Sequence, residues 1–448
     1  MLLDPDGGAE FSIPVKIAIL GGGITGVTAA RQLAAAGHSL ALFEAGDRLA
    51  GLCASSVIDG FVADHAGGHI LFSKDKEVLE FMLKALDGIG YHTTRRETAI
   101  RLKGRYVHYP FENGLGDLED GDRFTCLKDY ILAWHERRSG AKAAQDFHAW
   151  CLWRFGRGIC ELFMHPYNEK IWNVPLSELG TFWVEGRVPD APMEDVLRSA
   201  LGTRTEGYVH QSMFHYPLSG GFESLVKGMA RGLPPDVVRL QTPVTSVARD
   251  GAGFAVNGEH FDQVVSTIPL QSLGRVLAGV PAALKQSFAA LDHVSLRNVF
   301  IALEKKDAPP LSWIYFPHEA DGPQNRVTWL SNYSPQNAPA GMSSVMAEVT
   351  WYRNAPGNPA ATTEAVLNGL VKNGLFTRDA VRFTRVFDVE HAYILYRHGL
   401  EAELAKLRAY TESLGLHVVG RFGNYSYFNS DACVRAALDK AAEITARS

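Results

Sequence analysis

The sequence predicts an α/β protein with an inserted helical domain and a mainly antiparallel β-sheet domain. Three observations predict it. An apolar run, Val15 to Leu20, feeds a glycine loop and an alanine-rich amphipathic segment from Val27 to Ala36. Between Asp122 and about Ser199 the pattern turns helical and rich in large aromatics. From about 295 to 400, short apolar and aromatic runs recur as strands do.

The first element is the most specific. Val15 to Leu20 reads as a strand, Gly21-Gly22-Gly23-Ile24-Thr25-Gly26 as a tight turn opening a helix, and Leu40 to Phe43 as a parallel strand ending in Glu44. This is a Rossmann-like arrangement. Gly21 permits the turn, Gly23 lets the backbone approach a pyrophosphate, and Gly26 lets helix and strand pack closely. The helix N-terminus offers unpaired N–H groups to an anion. Glu44 lies 18 residues past Gly26, where the ribose of a dinucleotide needs a hydroxyl acceptor. Residues 13–75 therefore read as a dinucleotide-binding unit.

The other elements follow in order. Residues 96–111 alternate as a strand pair, Ala99 to Leu102 and Arg105 to Tyr109. Trp134, Phe147, Trp150, Trp153, Phe155, Phe163, Trp172, Phe182 and Trp183 mark a small helical domain with a groove. The chain then returns to the first domain. Ser219-Gly220-Gly221 precedes a helix, and strands are expected over Val237 to Val247 and Phe261 to Ile268. Val299 to Leu303, Trp313 to Phe316, Val327 to Leu330 and Val345 to Tyr352 suggest the antiparallel sheet. Leu416 to Gly423 reads as a strand into a glycine turn, closed by a helix from Cys433 to Ala446. The domain partition is 13–95, 204–272 and 406–448 for the dinucleotide-binding domain. Residues 96–111 and 273–405 go to the sheet domain, and 112–203 to the helical one.

Composition narrows the function classes. A chain of 448 residues is too long for one ordinary core. A net charge of −5 gives no reason to expect nucleic acid, which needs a basic face, and leaves room for a local basic pocket for an anionic substrate. The five cysteines lack metal-ligand spacing and read as reduced thiols of a cytoplasmic protein, so no metal site is expected. No apolar run reaches membrane-spanning length. Met1 to Ser12 lacks the basic and apolar regions of a signal peptide and reads as a frayed tail.

The opening motif, Ser266-Thr267-Ile268-Pro269 and Gly420-Arg421-Phe422-Gly423 together resemble the FAD enzymes of the amine-oxidase and protoporphyrinogen-oxidase-like group. A narrower resemblance lies between them. Gly67-Gly68-His69, Tyr109-Pro110-Phe111 and the block Leu162 to Trp172 resemble the UDP-galactopyranose mutases. So do Trp183 through Arg187-Val188, Trp313 to Pro317, Arg326, Ser331 to Pro335 and Gly420 to Tyr427. The blocks keep the family's order over nearly the whole chain and look closest to its eukaryotic-type branch. The resemblance implies a redox-neutral isomerisation between pyranose and furanose forms of a nucleotide sugar. In it, reduced FAD acts through N5 as a covalent catalyst. It also implies a reductant such as NADPH or a reductase.

By position in these blocks, Arg187 and Arg326 hold the diphosphate, which suits the paired donors of guanidinium. Tyr315, Tyr393 and Tyr427 donate to phosphate without adding charge and pack on sugar and flavin. Tyr393 lacks the proline that commonly follows, and Tyr396 is its rival. His69, after Gly68, lies against the flavin. Tyr109, Phe111, Phe163, Tyr167, Asn168 and Trp172 stack on and bond the base. Tyr425, expected on one strand face with Tyr427, and Asn429, where bacterial members carry Asp, bear on the sugar side. Glu112 stands where the eukaryotic-type branch carries Gln. A carboxylate only accepts hydrogen bonds, so uracil and guanine both stay open, and a GDP-sugar is possible beside a UDP-sugar. The cofactor set is Gly21, Gly23, Ile24, Thr25, Gly26, Glu44, Gly51, Leu52, Gly68, His69, Val244, Arg421 and Asp431. The alternatives are an FAD-dependent oxidase of an amine, porphyrinogen or polyene, and a non-catalytic flavin or nucleotide-sugar binding protein.

Overall fold

The computed structural model describes residues 14–447 except 185–187, 189–190, 206–211, 306–307 and 354. The tail 1–12 thus lies outside the described residues. The chain forms two compact units. One comprises 1–51, 229–288 and 406–448; the other comprises 52–228 and 289–405.

The first unit is built on a five-stranded parallel sheet. Its order is His417–Val418, Gln263–Ser266, Lys16–Leu20, Ser39–Phe43, Val238–Arg239. The apolar run explains the central place of Lys16–Leu20: Ile17, Ala18, Ile19 and Leu20 are fully buried, as a strand covered on both faces requires. Helix Ile24–Ala35 buries Val27, Ala30 and Leu33, and the last helix, Ser430–Arg447, packs on it. The strands' carboxyl ends bring Gly21 and Glu44 to one edge, where ligands of such sheets bind. The expected strand over 237–247 is two residues long. Gln241 turns with φ +51°, and Pro243 has no N–H to offer a ladder. The chain instead crosses Glu44, with Thr242 N–H donating to its carbonyl at 2.8 Å.

The second unit carries a seven-stranded sheet. Its order is Val381–Ile394, His293–Leu303, Ser343–Tyr352, Arg326–Thr328, Trp313–Tyr315, Thr98–Leu102, Arg105–His108. Every neighbouring pair is antiparallel except Trp313–Tyr315 with Thr98–Leu102. Helix Pro359–Lys372 covers one face, and Val366, Leu367 and Leu370 enter a core with Val299, Ile301, Ile314, Phe316, Val327, Trp329 and Val345. The aromatic-rich segment is helical as expected: Asp120–Arg138, Phe147–Ile159, His165–Trp172 and Met193–Ala200. A π turn, Cys160–Met164, interrupts it, with His165 N–H donating to the Cys160 carbonyl. Pro166 explains the change of register, since it cannot donate an i→i−4 bond.

Among the described residues, no helix is long and apolar enough to cross a membrane.

Candidate active site

In the first unit the glycine loop has the geometry its sequence demands. Gly21 has φ +101° and its N–H donates to the Phe43 carbonyl at 2.8 Å. A Cβ on Gly26 would lie 1.9 Å from the Gly21 carbonyl oxygen, so only glycine fits. Helix Ile24–Ala35 begins at Gly23 with no side-chain cap and no acidic residue in its first turn. Its N–H groups therefore suit an anion. A Cβ on Gly23 would meet nothing within 4 Å, so the approach is open. Glu44 is held at the strand end by the N–H groups of Gly22 and Gly46, each at 2.7 Å. Gly51 lies against Gly23, Thr25 against Gly420. These residues fit the ADP half of FAD: an open helix terminus for pyrophosphate and a fixed carboxylate for ribose.

The C-terminal part departs from expectation. Residues 424–429 form no strand. Arg421 Nη1 donates to the Phe428 carbonyl at 2.7 Å, and its guanidinium lies 4.7 Å from the Tyr427 ring centroid, so the segment turns on itself. Tyr425 has φ +52° and is 1% exposed. It packs on Phe422 as core and does not share a face with Tyr427. Asn429 is exposed and its carbonyl accepts the Cys433 N–H at the start of the last helix; Asp431 sits in that helix's first turn. Val244 follows the crossing over Glu44, and Leu52 lies in the 3-10 turn Gly51–Cys53.

In the second unit, sheet register aligns the chemistry. Tyr315 pairs with Arg326, and Arg326 pairs with Glu348. Arg326 Nε donates to Glu348 Oε1 at 2.6 Å, with Glu348 fully buried. Burial opposes the guanidinium charge, but the carboxylate beside it more than offsets this and holds its pKa above the ordinary arginine range. Tyr393 Oη donates to Glu348 Oε2 at 3.4 Å. Of Tyr393 and its rival, Tyr393 reaches this pair, while Tyr396 is buried against Trp183 and Phe182.

A chain of rings runs from this row. Tyr315 packs on Tyr109 at 4.9 Å and Tyr167 at 5.1 Å; Tyr167 stacks on Phe163, and Phe163 on Phe111. Burial, then the neighbouring Tyr315, pushes the Tyr167 hydroxyl well above its ordinary pKa, so it stays a neutral donor. Trp172 meets Tyr393 edge-on at 6.1 Å. Asn168 spends its amide locally: Nδ2 donates to the Met164 carbonyl, and Oδ1 accepts from Trp172 Nε1. Glu112 is only 5% exposed, in the short turn Phe111–Asn113. Arg187 lies outside the described residues.

The Gly-Gly-His loop rests on the ion pair. Gly67 has φ +87°, and a Cβ there would lie 2.5 Å from Glu348 Oε1 and 3.1 Å from Arg326 Nη2. A Cβ on Gly68 would strike Thr328. His69 Nδ1 bonds the Gly67 carbonyl at 3.1 Å, and its ring lies 5.1 Å from Phe222. Beneath the loop, buried Asp64 accepts from Ser55 Oγ at 2.6 Å, Tyr216 Oη at 2.9 Å, Phe222 N–H at 3.2 Å and the His69 N–H. Burial raises its pKa to about 6 against these hydrogen bonds.

Sequence reasoning missed Glu348 and Asp64. An acid inside Val345-Met346-Ala347-Glu348-Val349 was the signal, because a buried carboxylate demands a partner. One His/carboxylate group was also not anticipated: His293, Glu390 and His391 bring ligand atoms within 4.8 Å. The two imidazoles are stacked at 4.1 Å and 26°.

Residues 24–373 match the family described as flavin containing amine oxidoreductase. A solved structure of reduced UDP-galactopyranose mutase is 27% identical, with TM-score 0.88 over 97% of this chain and 96% of that one. Putrescine oxidase from Kocuria rosea is 26% identical over 281 residues, 58% of this chain and about half (55%) of the relative. A structure of putrescine oxidase bound to putrescine is 18% identical with TM-score 0.64, covering 97% of this chain and 100% of that one, which shares the fold. With the family match spanning most of the sequence, the chain belongs to the flavin-containing amine oxidoreductases, and its cofactor is FAD.

Proposed function

We propose that the protein is a nucleotide-sugar mutase that interconverts pyranose and furanose forms, acting on a UDP-sugar or a GDP-sugar. The observation that carries this reading is the row Tyr315, Arg326, Glu348, continuous with the rings of Tyr109, Phe111, Phe163 and Tyr167. Likeness to a mutase over nearly the full length of both chains supports it.

Reduced FAD supplies an electron-rich nucleophile for the anomeric carbon when bound. The chain's own residues must hold the departing diphosphate and return it. Glu348 takes Arg326 Nε, which leaves the two Nη groups as donors to phosphate oxygens. The pair is neutral overall, so it orients the diphosphate without binding it too tightly to leave. Further charge compensation falls to Arg187. Tyr315 and Tyr393 add neutral hydroxyl donors, and the stacked rings take the base. Glu112 can only accept hydrogen bonds as a carboxylate, which fits a base bearing a ring N–H. NADPH or a reductase supplies the electrons once.

A second reading, an amine oxidase, is favoured by the match to putrescine oxidase. The test is to incubate dithionite-reduced protein with a panel of nucleotide sugars and resolve products by chromatography and mass spectrometry. An isomer of unchanged mass supports the mutase. No isomer from any nucleotide sugar, with oxygen uptake on amines, supports the oxidase.

A further inference from the structure

Lys170 is a buried lysine, and its partners explain how its charge is accommodated. It is 8% exposed on helix His165–Trp172. Its Nζ donates to three backbone carbonyls: Phe316 at 3.2 Å, His318 at 3.1 Å and Gly322 at 2.6 Å. An ammonium has three N–H donors and no acceptor, so donors and acceptors match one to one. All three carbonyls lie in the connection between strands Trp313–Tyr315 and Arg326–Thr328. That connection links Tyr315 directly to Arg326, which face each other in register. The helix that carries Lys170 also carries Tyr167, Asn168 and Trp172, and its Lys170 carbonyl accepts from Thr350 Oγ1 at 2.9 Å.

We propose that Lys170 is a positioning residue that sets the register between the base-side helix and the Tyr315–Arg326 hairpin. This rests on the proposed function for its consequence, but not for its geometry. A neutral amine offers two N–H groups and a lone pair. The ammonium is therefore the form that meets all three carbonyls. Burial lowers the Lys170 pKa to about 8, opposed by the carboxylates of Glu319 and Asp321 on the same connection. The other charged or titratable groups at this connection are His318 within it and Lys372, whose Nζ donates to the Ala320 carbonyl at 2.9 Å from helix Pro359–Lys372. Glu169 adjoins Lys170 on its own helix.

Because the folded pKa is depressed, the folded protein loses the proton before the unfolded chain does. Stability from this group therefore rises, not falls, between about pH 8 and 10.5. By the same linkage the held form gains over the released one as pH rises through that range.

The experiment measures amide hydrogen-exchange protection of 316–325, corrected for intrinsic rates, and UDP affinity. Both are taken for the FAD-loaded wild type at about pH 7 and about pH 8.8, and for Lys170→Met and Lys170→Gln. In the wild type, protection should rise with pH, and UDP affinity with it. In Lys170→Met both should be low at either pH, with UDP binding weakened about tenfold or more and FAD content normal. Lys170→Gln, which keeps two donors, should lie between. Should neither variant fold, the wild-type pH series still decides. Wild-type protection that stays constant or falls across the range would overturn the proposal. Rising protection in a protein that never binds UDP would uphold the clamp and reject the nucleotide-sugar reading instead.

Discussion

Removing Arg326 should destabilise the protein before it reveals anything about catalysis. The Arg326→Ala change strands the Glu348 carboxylate, which is fully buried and loses a partner at 2.6 Å. Breaking a buried ion pair by deleting one member costs about 3–5 kcal/mol. Arg326 itself is 24% exposed, so water can partly replace it, and the low end, about 3 kcal/mol, applies. Glu348→Gln keeps the shape and leaves a cation that water can reach, and about 1–2 kcal/mol is expected. The double variant strands nothing, so its loss should be smaller than the sum by about 2 kcal/mol. Urea unfolding of the four proteins measures this cycle. UDP binding then separates the roles: the double variant should regain stability over Arg326→Ala but not nucleotide affinity. Additive losses, or an Arg326→Ala cost below about 1 kcal/mol, would refute the buried pair as the organising contact.

Gly26→Ala should give colourless protein that FAD cannot reconstitute, because its Cβ would sit 1.9 Å from the Gly21 carbonyl; absorbance at the flavin band after reconstitution checks this. For Asp64, burial raises the folded pKa to about 6 from 3.8. The protonated form carries no burial penalty, so stability from this group falls as pH rises from about 4 through 6, by roughly 3 kcal/mol in all. Urea midpoints against pH should show that fall, and Asp64→Asn should remove it. Glu112→Gln should change the ranking of dissociation constants for UDP, TDP, GDP and CDP, with CDP weakest in the wild type because cytosine lacks a ring N–H. Unchanged constants for all four would mean that Glu112 does not read the base.

The glycine loop and Glu44 were legible because their constraint is local. A φ of +101° and a 1.9 Å approach admit only glycine, wherever the rest of the chain lies. The ring series was legible because its residues sit in compact blocks, Tyr109 to Phe111, Leu162 to Trp172 and Trp313 to Pro317. Glu348 and Asp64 were not, because their meaning depends on register across strands distant in sequence. Arg326 and Glu348 are neighbours only once the sheet forms. Tyr425 misled for the opposite reason. Spacing of two from Tyr427 suggested a shared strand face, but a left-handed φ and the Arg421 contact to Phe428 wind that segment into a turn. Lys170 lay inside a recognised block, yet nothing in the sequence marks which lysine will be buried on three carbonyls.

The central claim is that the flavin is reduced once and then turns over without net electron transfer. The direct test is stoichiometry: a limiting amount of dithionite or NADPH, anaerobic protein and UDP-galactopyranose, with product and remaining reductant measured together. The expected result is many equivalents of an isomer of unchanged mass per equivalent of reductant consumed. One equivalent of reductant lost per product formed, or no isomer with oxygen uptake on putrescine, would contradict it.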